Sequence, residues 1–182
     1  MYKTKILFSC LTLLMLSISC STQDSKDHII FNFTNDLDGW STGVSGKQLD
    51  SVTWLDWAGM PPGCVKLDGS DFGTSDHLAN SWIYKEIEIP ANAKSLSFIT
   101  SAHNRENANA ELRVTLLDDN QVMHILIDWE LANNGIEDEF DWINKSASVE
   151  AYAGQTVTLF FEQGDNDIGT HEQRYIDKIE IK

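Results

Sequence analysis

From His28 onward, apolar residues recur with a period of two and no convincing helical stripe is present, so the chain predicts strands. Residues 82–89 place Ile83, Ile87 and Ile89 on one face and Trp82, Tyr84, Glu86 and Glu88 on the other. Residues 111–117 oppose Leu112, Val114 and Leu116 to Glu111, Arg113 and Thr115. Residues 156–163 turn Val157, Leu159 and Phe161 inward, and residues 94–103 do the same with Leu96, Phe98, Thr100 and Ala102. Turn signals such as Asp118-Asp119-Asn120, Ala153-Gly154-Gln155 and Gly164-Asp165-Asn166 separate these runs. About nine or ten strands follow, enough for two packed antiparallel sheets. No repeat or shift of composition divides residues 28–182, which read as one all-β domain, a two-sheet antiparallel β-sandwich.

The first twenty residues follow a different pattern: basic Lys3 and Lys5, an apolar run from Ile6 to Ile18, then small residues before a cysteine. That is the layout of an export signal, and the run is too short to span a bilayer comfortably. Its end, Leu16-Ser17-Ile18-Ser19-Cys20, resembles the lipobox of bacterial lipoproteins, with Ser17 where the usual lipobox carries leucine. The resemblance implies that Cys20 is lipidated and becomes the new N-terminus. The alternative is an ordinary signal peptide with an incidental Cys20. Residues 21–27 are polar and aperiodic, as expected of a tether between lipid and domain. They resemble the acidic stretches that direct some Gram-negative lipoproteins to the outer face of the outer membrane.

Loss of the leader removes two lysines and no acid, leaving 11 basic against 28 acidic residues, a balance of −17. Such a surface repels phosphate backbones and anionic lipid, which argues against nucleic acid as a partner and leaves the acyl group as the membrane contact. Neutral glycans, cations and proteins remain. With Cys10 in the leader and Cys20 lipidated, Cys64 is the one thiol of the folded part, so no intrachain disulfide is expected. Beside Val65 and Leu67 it reads as a small core residue.

Four segments carry a further likeness: Phe31-Asn32-Phe33, Leu37-Asp38-Gly39-Trp40, residues 151–157 (AYAGQTV) and Tyr175-Ile176-Asp177-Lys178-Ile179. They resemble the opening, penultimate and closing strands of galactose-binding-like jelly rolls, a superfamily that includes many carbohydrate-binding modules. The resemblance implies a jelly-roll sandwich with Trp40 in its core. Alternation puts Tyr175, Asp177, Ile179 and Ile181 on one face of the last strand, and the apolar members favour that face as the inner one. An ionised Asp177 there needs a cation or several donors. In the resembled modules the matching aspartate helps bind a structural calcium, so Asp177 with the amide oxygen of Asn32 is a candidate Ca2+ pair. The first strand nevertheless offers Asn32 and Thr34 where carboxylates would be expected. The alternative is an Asp177 satisfied by backbone N–H groups or a lysine such as Lys178. Residues 165–169 and 68–73 have calcium-loop composition without a full ligand set, and read as solvated turns.

Six tryptophans bear on the ligand, because the apolar face of a pyranose stacks on aromatic rings while amides and charged groups take its hydroxyls. Trp82 and Tyr84 share the polar face of their strand, Trp57 lies at a Gly/Pro-rich turn, Trp129 ends an apolar strand with Ile125 and Ile127, and Trp142 follows an acidic stretch. Two polar turns, residues 102–107 with His103 and Arg105 and residues 169–174 with His171 and Arg174, gather groups that hydrogen-bond hydroxyls, or pair with a uronate, a sulfate or a neighbouring acid. The five histidines show no metal spacing. Among 28 acids any catalytic pair would be arbitrary. Three readings follow, in this order: a membrane-anchored, non-catalytic glycan-binding module; a structural or protein-interaction surface lipoprotein; and a small jelly-roll lyase or hydrolase.

Overall fold

A computed structural model describes residues 27–45, 51–68, 80–104, 111–130, 141–164 and 172–182. Among them eleven strands form: β1 (Ile29–Phe31), β2 (Ser41–Val44), β3 (Ser51–Leu55), β4 (Cys64–Asp68), β5 (Asn80–Glu88), β6 (Ser95–Asn104), β7 (Glu111–Leu117), β8 (Met123–Glu130), β9 (Ile143–Ser148), β10 (Thr156–Gly164) and β11 (Glu172–Ile181). The first sheet runs β3-β4-β11-β6-β9, with β1 also paired to β11; the second runs β2-β5-β10-β7-β8. Every pairing is antiparallel. The predicted antiparallel sandwich is the observed architecture.

Alternation fills the space between the sheets. Ile83, Leu96, Leu112, Val114, Leu116 and Phe161 are fully buried, and each such side chain contributes about 1.5–3 kcal/mol relative to exposure. Trp40 ties the layers together, its ring meeting Phe31 edge-on at 5.4 Å and Phe161 at 5.7 Å, while Phe161 meets Phe98 at 4.9 Å. The turn before it explains its aim. Asp38 Oδ2 accepts the N–H groups of Asn32 (2.9 Å) and Phe33 (2.8 Å), Trp40 N–H donates to Leu37 O (2.8 Å), and Gly39 adopts a left-handed φ of 71°. Lys85 Nζ donates to the carbonyls of Asp38 and Gly39, both at 2.9 Å.

β11 departs from its sequence reading. Lys178 has φ 45°, and the register against β6 shifts between Asp177 and Glu180. This bulge switches the strand's parity, since an extra residue changes which side chains point inward. Ile176, Ile179 and Ile181 therefore enter the central core. Tyr175 joins a separate cluster with Ala58 and Cys64, against which Leu55 and Trp142 pack. The single face expected to hold Tyr175, Asp177, Ile179 and Ile181 is divided between two apolar clusters.

Asp177 is nevertheless fully buried. Its Oδ2 accepts the N–H of Met60 and its Oδ1 the N–H of Lys178, both at 2.6 Å. Burial raises its carboxyl above the usual range, against the lowering effect of those two donors and of the Lys178 charge. Burial, reinforced by the neighbouring Asp177 charge, pushes the Cys64 thiol up to about 12, so that cysteine is inert packing at neutral pH. Asn32, the other candidate calcium ligand, is exposed, and its backbone N–H is held by Asp38. Among the described residues no three His, Cys, Asp or Glu side chains gather as a metal cluster.

Two predictions follow from Asp177. With both oxygens facing N–H donors, the melting temperature is expected to be the same with and without EDTA; a drop of several degrees, reversed by calcium, would assign the ion. A carboxyl whose folded pKa lies above its unfolded value near 3.9 binds its proton more tightly when folded, so it adds stability as pH falls through that window. The urea-unfolding free energy of wild type relative to Asp177→Asn should therefore rise between pH 7 and about pH 4.5. A constant or falling difference would contradict the raised value.

Candidate functional site

Inward-facing Ile83, Phe161 and Val114 leave Trp82, Glu162 and Arg113 on the outer face of the second sheet. β10 lies between β5 and β7, and the register aligns Gly43 with Trp82, Trp82 with Glu162, and Glu162 with Arg113. Arg113 Cζ lies 4.4 Å from the ring centroid of Trp129 in β8, which completes the row. Three strand spacings separate the backbones of Trp82 in β5 and Trp129 in β8 by roughly 14 Å across the sheet.

Between the two indoles, a hydrogen-bond network fixes the polar groups. Arg113 donates to Glu162 Oε2 from Nε (3.1 Å) and Nη2 (2.6 Å), and Asn80 Nδ2 donates to Glu162 Oε1 (2.7 Å). The side chains of Arg113 and Glu162 keep 26% and 15% of their exposure, so they meet solvent without being free in it. The pair is neutral together, and the guanidinium has N–H groups beyond those it spends on Glu162. In the neighbouring row, Tyr84 stacks on Phe160 at 5.6 Å with 18° between their planes, and Ile125 is 57% exposed. The face therefore offers flat apolar surface around held donors and acceptors, which is chemistry suited to a hydroxyl-rich ligand.

Of the residues proposed from sequence, Trp82, Tyr84 and Trp129 meet on this face. A bulge in β8 separates Ile125 from Ile127: Ile127 is buried at 8% exposure while Ile125 turns outward. Trp57 lies elsewhere, 64% exposed in the β3–β4 connection. Trp142 packs edge-on against Tyr175 at 6.4 Å in the smaller cluster. Arg174 is 2% exposed and pairs across strands with core Leu67, so it points into the sandwich and is withdrawn from any surface ligand. The backbone of His103 pairs with Gln173 across β6 and β11. The side chain of His103, together with Arg105, His171 and Cys20, lies outside the described residues.

Sequence reasoning missed Arg113, Glu162, Asn80 and Phe160 as site residues. Arg113 was legible as outward-facing, but its neighbours were not. Glu162 lies 49 residues after Arg113 in the chain and Asn80 33 residues before it, so only strand pairing reveals the cluster.

No family model and no curated protein matches the sequence. Solved structures do. A cleaved adhesin domain of Lys-gingipain from Porphyromonas gingivalis superposes with a TM-score of 0.63 at 18% identity, covering 85% of this chain and 97% of that one. The CBM22-1 xylan-binding domain from Paenibacillus barcinonensis Xyn10C gives 0.55 at 13% identity, covering 85% and 92%. A carbohydrate-binding module, TmCBM27, described for specific mannan recognition gives 0.51 at 16%, covering 85% and 96%. The chain has the β-sandwich fold shared by these adhesin and carbohydrate-binding domains, in agreement with the jelly-roll likeness of its opening and closing strand motifs.

Proposed function

We propose that this protein is a non-catalytic glycan-binding module, held at a bacterial membrane through a lipid on Cys20. The observation that carries the binding site is the row Trp82–Glu162–Arg113–Trp129, with two indoles flanking a fixed charge pair. Aromatic faces take the C–H surface of a sugar, and the pair with Asn80 meets its hydroxyls. The xylan and mannan binders of the same fold are consistent with this use of the sandwich. Because Arg113 is neutralised by Glu162 and the whole chain carries −15, the ligand class is a neutral polysaccharide; a uronate or sulfate chain would be repelled.

The acyl anchor and the polar residues 21–27 would keep such a module close to its membrane, with the outer membrane as the proposed address. A second reading, a surface protein that docks another protein, is favoured by the exposed apolar Val122, Met123 and Ile125 at and beside edge strand β8.

The test is affinity electrophoresis of residues 21–182 through gels cast with neutral and acidic polysaccharides. At least one neutral glycan should retard the protein without releasing reducing ends or unsaturated products. Trp82→Ala and Trp129→Ala should each weaken that binding at least about tenfold, the equivalent of ~1.4 kcal/mol. Retardation unchanged by both substitutions would move the site elsewhere, and no retardation by any glycan would favour the docking reading.

A further inference from the structure

Both indoles of the platform stand where a neighbouring residue has no side chain. A Cβ built on Gly43 would fall inside van der Waals contact of Cε2, Cζ2 and Nε1 of Trp82, its direct cross-strand partner. A Cβ on Gly164 would stand 2.9 Å from Cζ3 and 3.1 Å from Cη2 of Trp129. Ordinary carbon contacts lie near 3.5–4.0 Å, so even alanine would push either ring away.

Neither glycine is required by its backbone. Positive φ occurs at Gly39, Gly59, Gly63 and Gly154, whereas Gly43 and Gly164 lie in ordinary strand conformation. A glycine in a strand costs stability relative to alanine, because it loses more freedom on folding and packs nothing. Were the space open, Gly→Ala at these sites would stabilise the protein by restricting the unfolded chain. The same device at both tryptophans, with glycines on strands β2 and β10, ties the glycines to the indoles rather than to a turn.

We infer that Gly43 and Gly164 are positioning residues of the glycan platform, each a seat that fixes one indole at the height and angle at which it meets the sugar. This rests on the glycan reading of the same face. The pair at Trp82 gives the sharper case, because three of its ring atoms crowd one Cβ. Gly43→Ala acts on a ligand only through Trp82; Gly164→Ala acts through Trp129.

A double-mutant cycle tests the seat. Affinity for the retarding neutral glycan, near-ultraviolet circular dichroism and urea stability are measured for wild type, Gly43→Ala, Trp82→Ala and the double variant. Gly43→Ala should weaken binding about as much as Trp82→Ala and alter the near-ultraviolet spectrum. In the Trp82→Ala background, the same change should cost no further affinity and leave the spectrum as in Trp82→Ala. Gly43→Ala binding as tightly as wild type, or losing the same factor in both backgrounds, would overturn the proposal. Should Gly43→Ala alone fail to fold while the double variant folds, the clash with the indole stands; failure of both would place the glycine's role in the strand and overturn it. If wild type binds no glycan, the glycan reading falls, and the seat is decided by the spectrum alone, unchanged dichroism in Gly43→Ala sinking it as well.

Discussion

Strand β10 carries the arrangement on which both the core and the candidate site depend. It pairs with β5 along its whole length and with β7 over seven positions, so its side chains are dealt alternately to two environments. Phe161 goes inward to meet Trp40 and Phe98 between the sheets. Glu162, one residue on, must go outward, where β5 supplies Trp82 and Asn80 and β7 supplies Arg113. The apolar packing that holds the sandwich closed is therefore also what lines up the outer row. A shift of one residue in the register of β10 would bury a carboxylate and expose a phenylalanine, so the core enforces the site's geometry.

The two outer faces of the sandwich serve different ends. On the first sheet, Tyr175, Cys64 and Ala58 form a small apolar cluster, and Asp177 is covered by the connection that contains Met60. Here a carboxylate is spent on holding backbone N–H groups. On the second sheet the aromatic residues are half-exposed and their polar companions reach solvent. The charge pair between the indoles holds its own members in place, which limits the entropy that any ligand bound there would remove from them.

Alternation made much of the fold legible. The inward sets of residues 82–89, 111–117 and 156–163 are buried as read, and Trp40 lies in the core as the Leu-Asp-Gly-Trp turn implied. The failures are local interruptions of that alternation. The bulge at Lys178 split the face of β11 into two clusters and turned Arg174 inward, and the bulge in β8 separated Ile125 from Ile127. Bulges of this kind leave no simple mark on hydrophobic period. The site was half-visible for another reason: an outward position can be counted off along one strand, but which strands lie beside it is set by pairings between segments distant in sequence. Trp82, Tyr84 and Trp129 could be named, whereas Arg113, Glu162 and the glycines beneath the indoles could not.

The central claim is that glycan meets this protein on the outer face of the second sheet, and the six tryptophans offer a direct reporter. Indole N–H resonances, assigned by single substitution, can be followed as a neutral oligosaccharide is added. Shifts at Trp82 and Trp129, with Trp40 and Trp54 unmoved in and beside the core, are the predicted result. Shifts confined to Trp57 or Trp142, or none at saturating sugar, would contradict it.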